Sequence, residues 1–207
     1  MQPILINDDC NNYFTSAIHQ LKEITYVVTD PPYGLNKSWK RTWFGNNGKS
    51  RLTGKLCPWD TKPAIDTVNI LLYIGEKHIF WGGNFYPLPP TRCWLIWDKL
   101  QNNRGADCEM AWSNLDMGTR VFRMSRIDAY YNKAIYKKLH PAEKPIQLME
   151  WCVSFLPKKN TVIFDPFMGC GSIGVAAVRN GFKFIGIEIN KEYFDIAKFR
   201  IMKEQKG

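Results

Sequence analysis

The sequence predicts an α/β fold on one mostly parallel, doubly wound sheet, and three observations carry that prediction. The chain opens as strand, helix, strand: Pro3-Ile4-Leu5-Ile6, then Phe14, Ala17, Ile18 and Leu21 at helical spacing, then Ile24-Thr25-Tyr26-Val27-Val28-Thr29. It closes the same way, with strand Thr161–Phe164, helix positions Ile173, Ala176 and Ala177, strand Phe182–Ile187 and a last helix through Phe194, Ala197 and Ile201. Alternating strands and helices indicate crossover units and a parallel sheet. The third observation is the turn Asp30-Pro31-Pro32-Tyr33 at a strand end, where open α/β sheets bind ligands.

The elements between follow in order. Pro63 to Ile74 reads as a helix (Ile65, Val68, Leu72) closed by Gly75. Lys77–Trp81 is a buried strand running into Gly82-Gly83-Asn84-Phe85-Tyr86. Arg92–Trp97 and Cys108–Trp112 read as two more strands. His140-Pro141-Ala142-Glu143-Lys144-Pro145 leads into a helix with Pro145 at its first position and Pro157 beyond its end. Asn190 is placed to cap the final helix. Asp8, just past the first strand, reads as a helix cap by default.

At 207 residues the chain predicts a single domain with a substantial core. Eight Trp, nine Tyr and twelve Phe exceed what such a core needs, and the net charge of +9 points to a polyanionic partner. Six scattered cysteines, with no C-x-x-C and no histidine pair at zinc spacing, indicate reduced thiols in a cytoplasmic setting and no metal. No apolar run approaches 18 residues, so neither membrane insertion nor export is expected.

Two basic stretches stand apart. Residues 35–56 carry Lys37, Lys40, Arg41, Lys49, Arg51 and Lys55 without an acid, interleaved with Trp39, Trp43 and Phe44 and with Gly45-Asn46-Asn47-Gly48. The stretch reads as an irregular loop suited to phosphates and stacked bases, with a solvated flap as the plain alternative. Residues 117–139 carry Arg120, Arg123 and Arg126 among other cations, as a second contact candidate or a solvated face.

The chemistry concentrates in two turns. In Asp30-Pro31-Pro32-Tyr33-Gly34 each proline fixes its own φ and restricts the residue before it. An acid, outward carbonyls and an aromatic ring are thereby held within one turn. That set suits an amino group on a flat ring, with two acceptors for its hydrogens and a π-face beneath. In the second turn, Gly169-x-Gly171-x-x-Gly174 is followed by Glu188 nineteen residues after its first glycine. Alone this is a dinucleotide fingerprint, so a nicotinamide-dependent dehydrogenase is the rival reading. Only 33 residues follow Gly174, too few for a dinucleotide half that starts there.

Asp30-Pro31-Pro32-Tyr33 resembles the catalytic motif of the amino-methyltransferases of DNA, which methylate adenine N6 or cytosine N4. Asp165-Pro166-Phe167-x-Gly169-x-Gly171 resembles their S-adenosylmethionine motif, and His140-Pro141-x-x-Lys144-Pro145 the motif that precedes it. The order, catalytic first and cofactor last, is similar to the circularly permuted β-type members, small phage and bacterial adenine enzymes above all. The resemblance implies a Rossmann-like S-adenosylmethionine-dependent fold with a catalytic half (1–116), a DNA-contact loop (35–60), a short target-recognition candidate (117–139) and a cofactor half (140–207). It implies Asp30, Pro31, Pro32 and Tyr33 as catalytic. It implies Asp9, Cys10, Asp30, Lys144, Pro145, Asp165, Phe167, Gly169, Gly171, Ser172 and Glu188 at the cofactor, with Asp9 on the adenosine and Lys144 and Pro145 at the methionine end. Lys37, Trp39, Lys40, Arg41, Arg120, Arg123 and Arg126 would meet double-stranded DNA. Cytosine-N4 members usually have Ser in place of Asp30, so adenine is the expected base, with cytosine N4 and an inactive nucleic-acid-binding module as alternatives. A homodimer, the recognised site and a restriction partner stay open.

Overall fold

The computed structural model describes residues 2–16, 20–35, 41–44, 50–53, 60–101, 106–130, 142–157 and 161–205. The order is β1 (Ile4–Ile6), α1 (Cys10–Ser16), β2 (Tyr26–Thr29), β3 (Arg41–Phe44), β4 (Ser50–Thr53), α2 (Ile65–Tyr73) and β5 (Lys77–Trp81). Then come β6 (Cys93–Asp98), β7 (Cys108–Ser113), β8 (Arg120–Arg123), α3 (Arg126–Tyr130), α4 (Ile146–Val153), β9 (Val162–Asp165), α5 (Ser172–Arg179), β10 (Lys183–Ile187) and α6 (Lys191–Glu204).

Eight strands make one sheet in the order β1-β10-β9-β2-β5-β7-β6-β8. All pairings are parallel except those of β7, which runs against β5 and β6. The mostly parallel α/β architecture expected from the alternating pattern is therefore present. β9 and β2 pair side by side, Val27 opposite Phe164, although 137 positions separate them in the chain. From that pair the connections lead opposite ways, β9 to β10 on one side and β2 to β5 on the other. Such a switch point opens a crevice at the carboxyl ends of the strands.

Helices cover both faces, which explains why the central strands read as continuous apolar runs. Tyr26 and Val28 point into a cluster with residues of α3, α4, α5 and α6, including Tyr130, Met149, Ala176 and Ile201. Val27, one step out of phase, points into the opposite cluster with Tyr13 and Phe14 of α1 and Leu71 of α2. α6 starts where expected, with Asn190 Oδ1 accepting from the N–H groups of Glu192 and Tyr193. Pro145 stands one position earlier than expected, as the residue preceding α4. The cap of α1 is Asp9 rather than Asp8: the Asp9 carboxylate accepts from Asn11 N at 2.9 Å, and its carbonyl from Asn12 N and Tyr13 N.

The reading of 35–56 as irregular is corrected. β3 and β4 form a separate antiparallel pair with Arg41 opposite Thr53. Thr42, Trp43 and Phe44 are strand formers, and a Gly/Asn cluster between two short runs is a hairpin signal that outweighs the lack of a clear period. Lys37, Trp39 and Lys40 lie outside the described residues. In the 117–139 stretch, β8 joins the main sheet at its edge and Tyr130 of α3 enters the core, while 131–139 lie outside the described residues.

Candidate active site

The carboxyl ends of β1, β10, β9, β2 and β5 deliver an acid or a tight turn to one rim. β2 runs into Asp30, β9 ends at Asp165, and β10 runs into Glu188. A cavity of about 810 Å³ lies along this rim. Its wall includes Asp9, Cys10, Asp30, Pro31, Pro32, Tyr33, Lys144, Asp165, Phe167, Gly169, Ser172 and Glu188, so the two motif-bearing ends of the chain meet in one space. Arg126 joins the wall at the start of α3. Pro145 and Gly171 are not part of the wall, and Arg120 and Arg123 lie on the exposed edge strand, where Arg123 pairs with Asp98 at 3.5 Å.

The strand pairing becomes chemical at Thr29. Its buried hydroxyl donates to Asp165 Oδ1 at 2.8 Å, linking the end of β2 to the end of β9. Phe167 N donates to the same oxygen at 3.1 Å. Asp165 Oδ2 is buried without a hydrogen-bond partner among the described residues. Burial raises this carboxyl to about 8, Thr29 and Phe167 oppose the rise, and Asp30 and Glu188 add to it. A buried, unsatisfied acceptor on a cavity wall is a place for a ligand's cation.

The glycine loop beside it has divided duties. A Cβ on Gly169, at φ +52°, would meet nothing within 4 Å. One on Gly171, at φ +84°, would stand 3.0 Å from the Cα of Ala197. Gly171 therefore lets α6 approach, whereas Gly169 fronts open space. Glu188 ties the loop down, accepting from Gly169 N at 2.9 Å through Oε2 and from Asn190 N at 2.8 Å through Oε1. Each oxygen retains a second lone pair for a ligand hydroxyl. Cys10 enters the cavity wall as a neutral thiol, pushed up to about 12 by burial and then by Asp9.

At the other end, the Pro-Pro turn is pinned by Tyr86, whose hydroxyl donates to the Pro32 carbonyl at 2.6 Å, and by Asp60, which accepts from Gly34 N at 3.1 Å. The Tyr33 ring stacks on Phe85 with centroids 4.9 Å apart, and its hydroxyl donates to Asp30 Oδ1 at 2.6 Å. Gly82 makes room for this ring: a Cβ there would fall 2.1 Å from Tyr33 Cε1. Lys144 Nζ lies 2.6 Å from Asp30 Oδ2, 3.1 Å from Tyr33 Oη and 3.0 Å from Glu109 Oε2. The ammonium implied at a methionine end is thus on the Asp30 carboxylate. Burial pushes the Asp30 carboxyl above its ordinary value against the pull of Lys144. Lys144 itself stays charged, because Asp30 and Glu109 outweigh its burial.

Sequence reading missed several residues here. Thr29 looked like strand filler, and Glu109, Lys99 and Gly82 carry no local signature. Glu143, inside the His140–Pro145 string, pairs with Arg200 at 2.9 Å, and Arg200 also donates to the Cys170 carbonyl at 2.7 Å, anchoring the glycine loop to α6. Among the described residues there is no cluster of metal-ligating side chains, and no helix is long and apolar enough to cross a membrane.

A mostly parallel sheet with acids gathered at a switch point is the architecture of α/β proteins that bind nucleotide-like cofactors. A family model described as DNA methylase matches residues 74–199, and the chain belongs to that family. The match begins after Asp30–Tyr33. Among curated relatives, a type II methyltransferase of Lactococcus lactis subsp. cremoris, M2.LlaDCHI, is 48% identical over 64 residues, 31% of this chain and 24% of its own length. The matched segments make up between 24% and 33% of such relatives. Among solved structures, the M1.HpyAVI–SAM complex aligns over 96% of this chain and 100% of its own, with a TM-score of 0.61 at 20% identity. The PvuII cytosine-N4-specific DNA methyltransferase aligns over 89% of this chain and 85% of its own, with a TM-score of 0.56 at 14% identity. At these identities the likeness is one of fold, and that fold is the Rossmann-like methyltransferase sheet.

Proposed function

We propose that the protein transfers the methyl group of S-adenosylmethionine to the N6 amine of an adenine flipped out of double-stranded DNA, as a permuted, β-type member of its family. The observation that carries this reading is the Thr29–Asp165 hydrogen bond between paired strands β2 and β9, which brings the amine-acceptor turn and the glycine loop to one cavity.

The residues fit the cofactor. When bound, S-adenosylmethionine supplies a methyl group on a positively charged sulfur, open to direct displacement by a neutral amine. Asp165 Oδ2, left without a partner among the described residues, would hold the methionine ammonium. Glu188 would take ribose hydroxyls and Gly169 would let the ligand pass close to backbone, while Asp9, Cys10, Phe167 and Ser172 complete the wall. Gly171 and Pro145 act indirectly, by shaping the loop and the start of α4. Asp30 and the Pro31 carbonyl accept the two N–H bonds of the target amine, which keeps its lone pair on nitrogen. The Tyr33 ring stacks on the base, a contact worth ~1–3 kcal/mol. Holding both partners in one cavity supplies the proximity that a bimolecular transfer lacks. Extrusion of the base costs a few kcal/mol, which phosphate contacts from Lys37, Lys40 and Arg41 with Trp39, and from Arg120, Arg123 and Arg126, offset.

The family's name spans N6 and N4 chemistry, so cytosine N4 is the second reading. Asp30 in place of the Ser usual in cytosine-N4 enzymes favours adenine. The test is to methylate unmodified DNA with labelled S-adenosylmethionine, digest it to nucleosides and identify the product by mass. N6-methyladenine is expected. N4-methylcytosine alone would overturn the base assignment, and no methylated nucleoside at all the activity.

A further inference from the structure

Both oxygens of the Asp30 carboxylate are occupied in this structure. Tyr33 Oη holds Oδ1 at 2.6 Å, and Lys144 Nζ holds Oδ2 at 2.6 Å. Each oxygen keeps a second lone pair, so what stands in the way of a target amine is the room that Lys144 takes, not a lack of acceptors. The Lys144 ammonium sits where such an amine would sit: it donates to the carboxylate and lies 5.4 Å from the centroid of the Tyr33 ring. A neutral amine that displaced it would strand a buried charge, since the Lys144 side chain is only 5% exposed.

A second carboxylate is already in reach. Glu109, on β7, lies 3.0 Å from Lys144 Nζ through Oε2, and its Oε1 is held by Lys99 at 2.8 Å. Burial raises the Glu109 carboxyl, but Lys144 and Lys99 outweigh it and hold it at about 2, so Glu109 is charged throughout the neutral range. Two half-buried carboxylates and two buried ammoniums make a set of zero net charge.

Resting on the amine-methylation reading, we propose that Lys144 is a placeholder for the target amine, and that Glu109 is a positioning residue that receives its ammonium when the base enters. The exchange moves no proton. The neutral amine replaces the ammonium on Asp30 Oδ2, and Lys144 keeps its charge on Glu109 by turning its side-chain end. Lys99 fixes the carboxylate that receives it.

The test reads base binding separately from methyl transfer. Binding of 9-ethyladenine, with S-adenosylhomocysteine present, is measured by ligand-observed NMR on the wild type and on Lys144→Met, Glu109→Gln and Glu109→Asp. Lys144→Met is expected to bind the purine at least fivefold tighter and Glu109→Gln at least fivefold weaker. Glu109→Asp should return to within threefold of wild type, and S-adenosylhomocysteine affinity should stay within twofold throughout. A merely structural role for Glu109 predicts losses that follow melting temperature and affect both ligands. Equal purine affinity in all four proteins, or no purine binding by any, overturns the exchange. Should Lys144→Met not fold, a wild-type crystal structure with both ligands decides: Nζ on Glu109 alone supports the exchange, and Nζ still on Asp30 beside a bound purine ends it. Methyl incorporation into DNA by the wild type is scored apart. Its absence, with the purine exchange intact, would overturn the function and leave the exchange standing.

Discussion

At the scale of the residue, Asp165 shows how a site is held ready at some cost to the fold. Its folded pKa of about 8 lies far above the ordinary carboxylate value near 4. The folded state therefore binds more protons than the unfolded state between about pH 4 and pH 8, and stability falls as pH rises through that window. Asp165→Asn keeps an acceptor for Thr29 and Phe167 but cannot ionise. Urea unfolding of the ligand-free proteins from pH 5 to pH 9 should show the wild type losing stability relative to the variant, with the difference levelling off above pH 8. The same variant should bind S-adenosylmethionine at least tenfold more weakly, since a charge-assisted hydrogen bond contributes ~1.5–3 kcal/mol. Calorimetry above pH 8 tests that half, and equal affinity would place the ammonium elsewhere. Gly82 is the second such residue. At φ +66° with a Cβ position 2.1 Å from the Tyr33 ring, Gly82→Ala must displace that ring. Methyl transfer should fall at least a hundredfold while cofactor affinity stays within twofold, which parallel assays would show.

At the scale of the element, α6 joins the glycine loop to the core through Gly171, Arg200 and its capped start. Asn190 holds that start by accepting from two N–H groups that the helix leaves unpaired. Asn190→Ala should cost ~1 kcal/mol of stability, measured by denaturant midpoint at unchanged m-value. It should weaken cofactor binding only slightly, because Glu188 still holds Gly169. A tenfold loss of cofactor affinity would mean that the cap itself shapes the site. The pair β3 and β4 belongs to this scale as well. It pairs only with itself among the described strands, so it is not part of the main sheet.

At the scale of the whole molecule, a net charge of +9 favours association with a polyanion irrespective of sequence. Six cations without an acid follow directly on the Asp30–Gly34 turn, in residues 35–56. Each phosphate neutralised contributes about 0.9 to the dependence of log K on log salt. Replacing Lys37, Lys40 and Arg41 together by Ala should flatten that slope by about 2.7 and weaken binding to all duplexes alike. Titrating duplexes at several salt concentrations measures it. An unchanged slope with lost site preference would assign these residues to base reading.

What the sequence determined by itself is what neighbours along the chain can encode. The alternation of strands and helices, the Asn190 cap and the two turns rest on local spacing and backbone restriction, and each was legible before any coordinates. The antiparallel pairing of 41–44 with 50–53 is legible too, in the strand-forming Thr42, Trp43 and Phe44. That Asp30 and Asp165, 135 positions apart, come together is expected from the resemblance, and the tertiary structure supplies the physical basis: β2 pairs with β9, Thr29 bonds to Asp165, and both acids line one cavity. Glu109, Lys99 and Gly82 had no local signature at all. A carboxylate on a strand reads as a surface residue until the ammoniums it balances are in view, and a glycine reads as a turn until the ring that needs its space is packed against it. Charge pairing and close approach are properties of distance in space, which sequence separation does not contain.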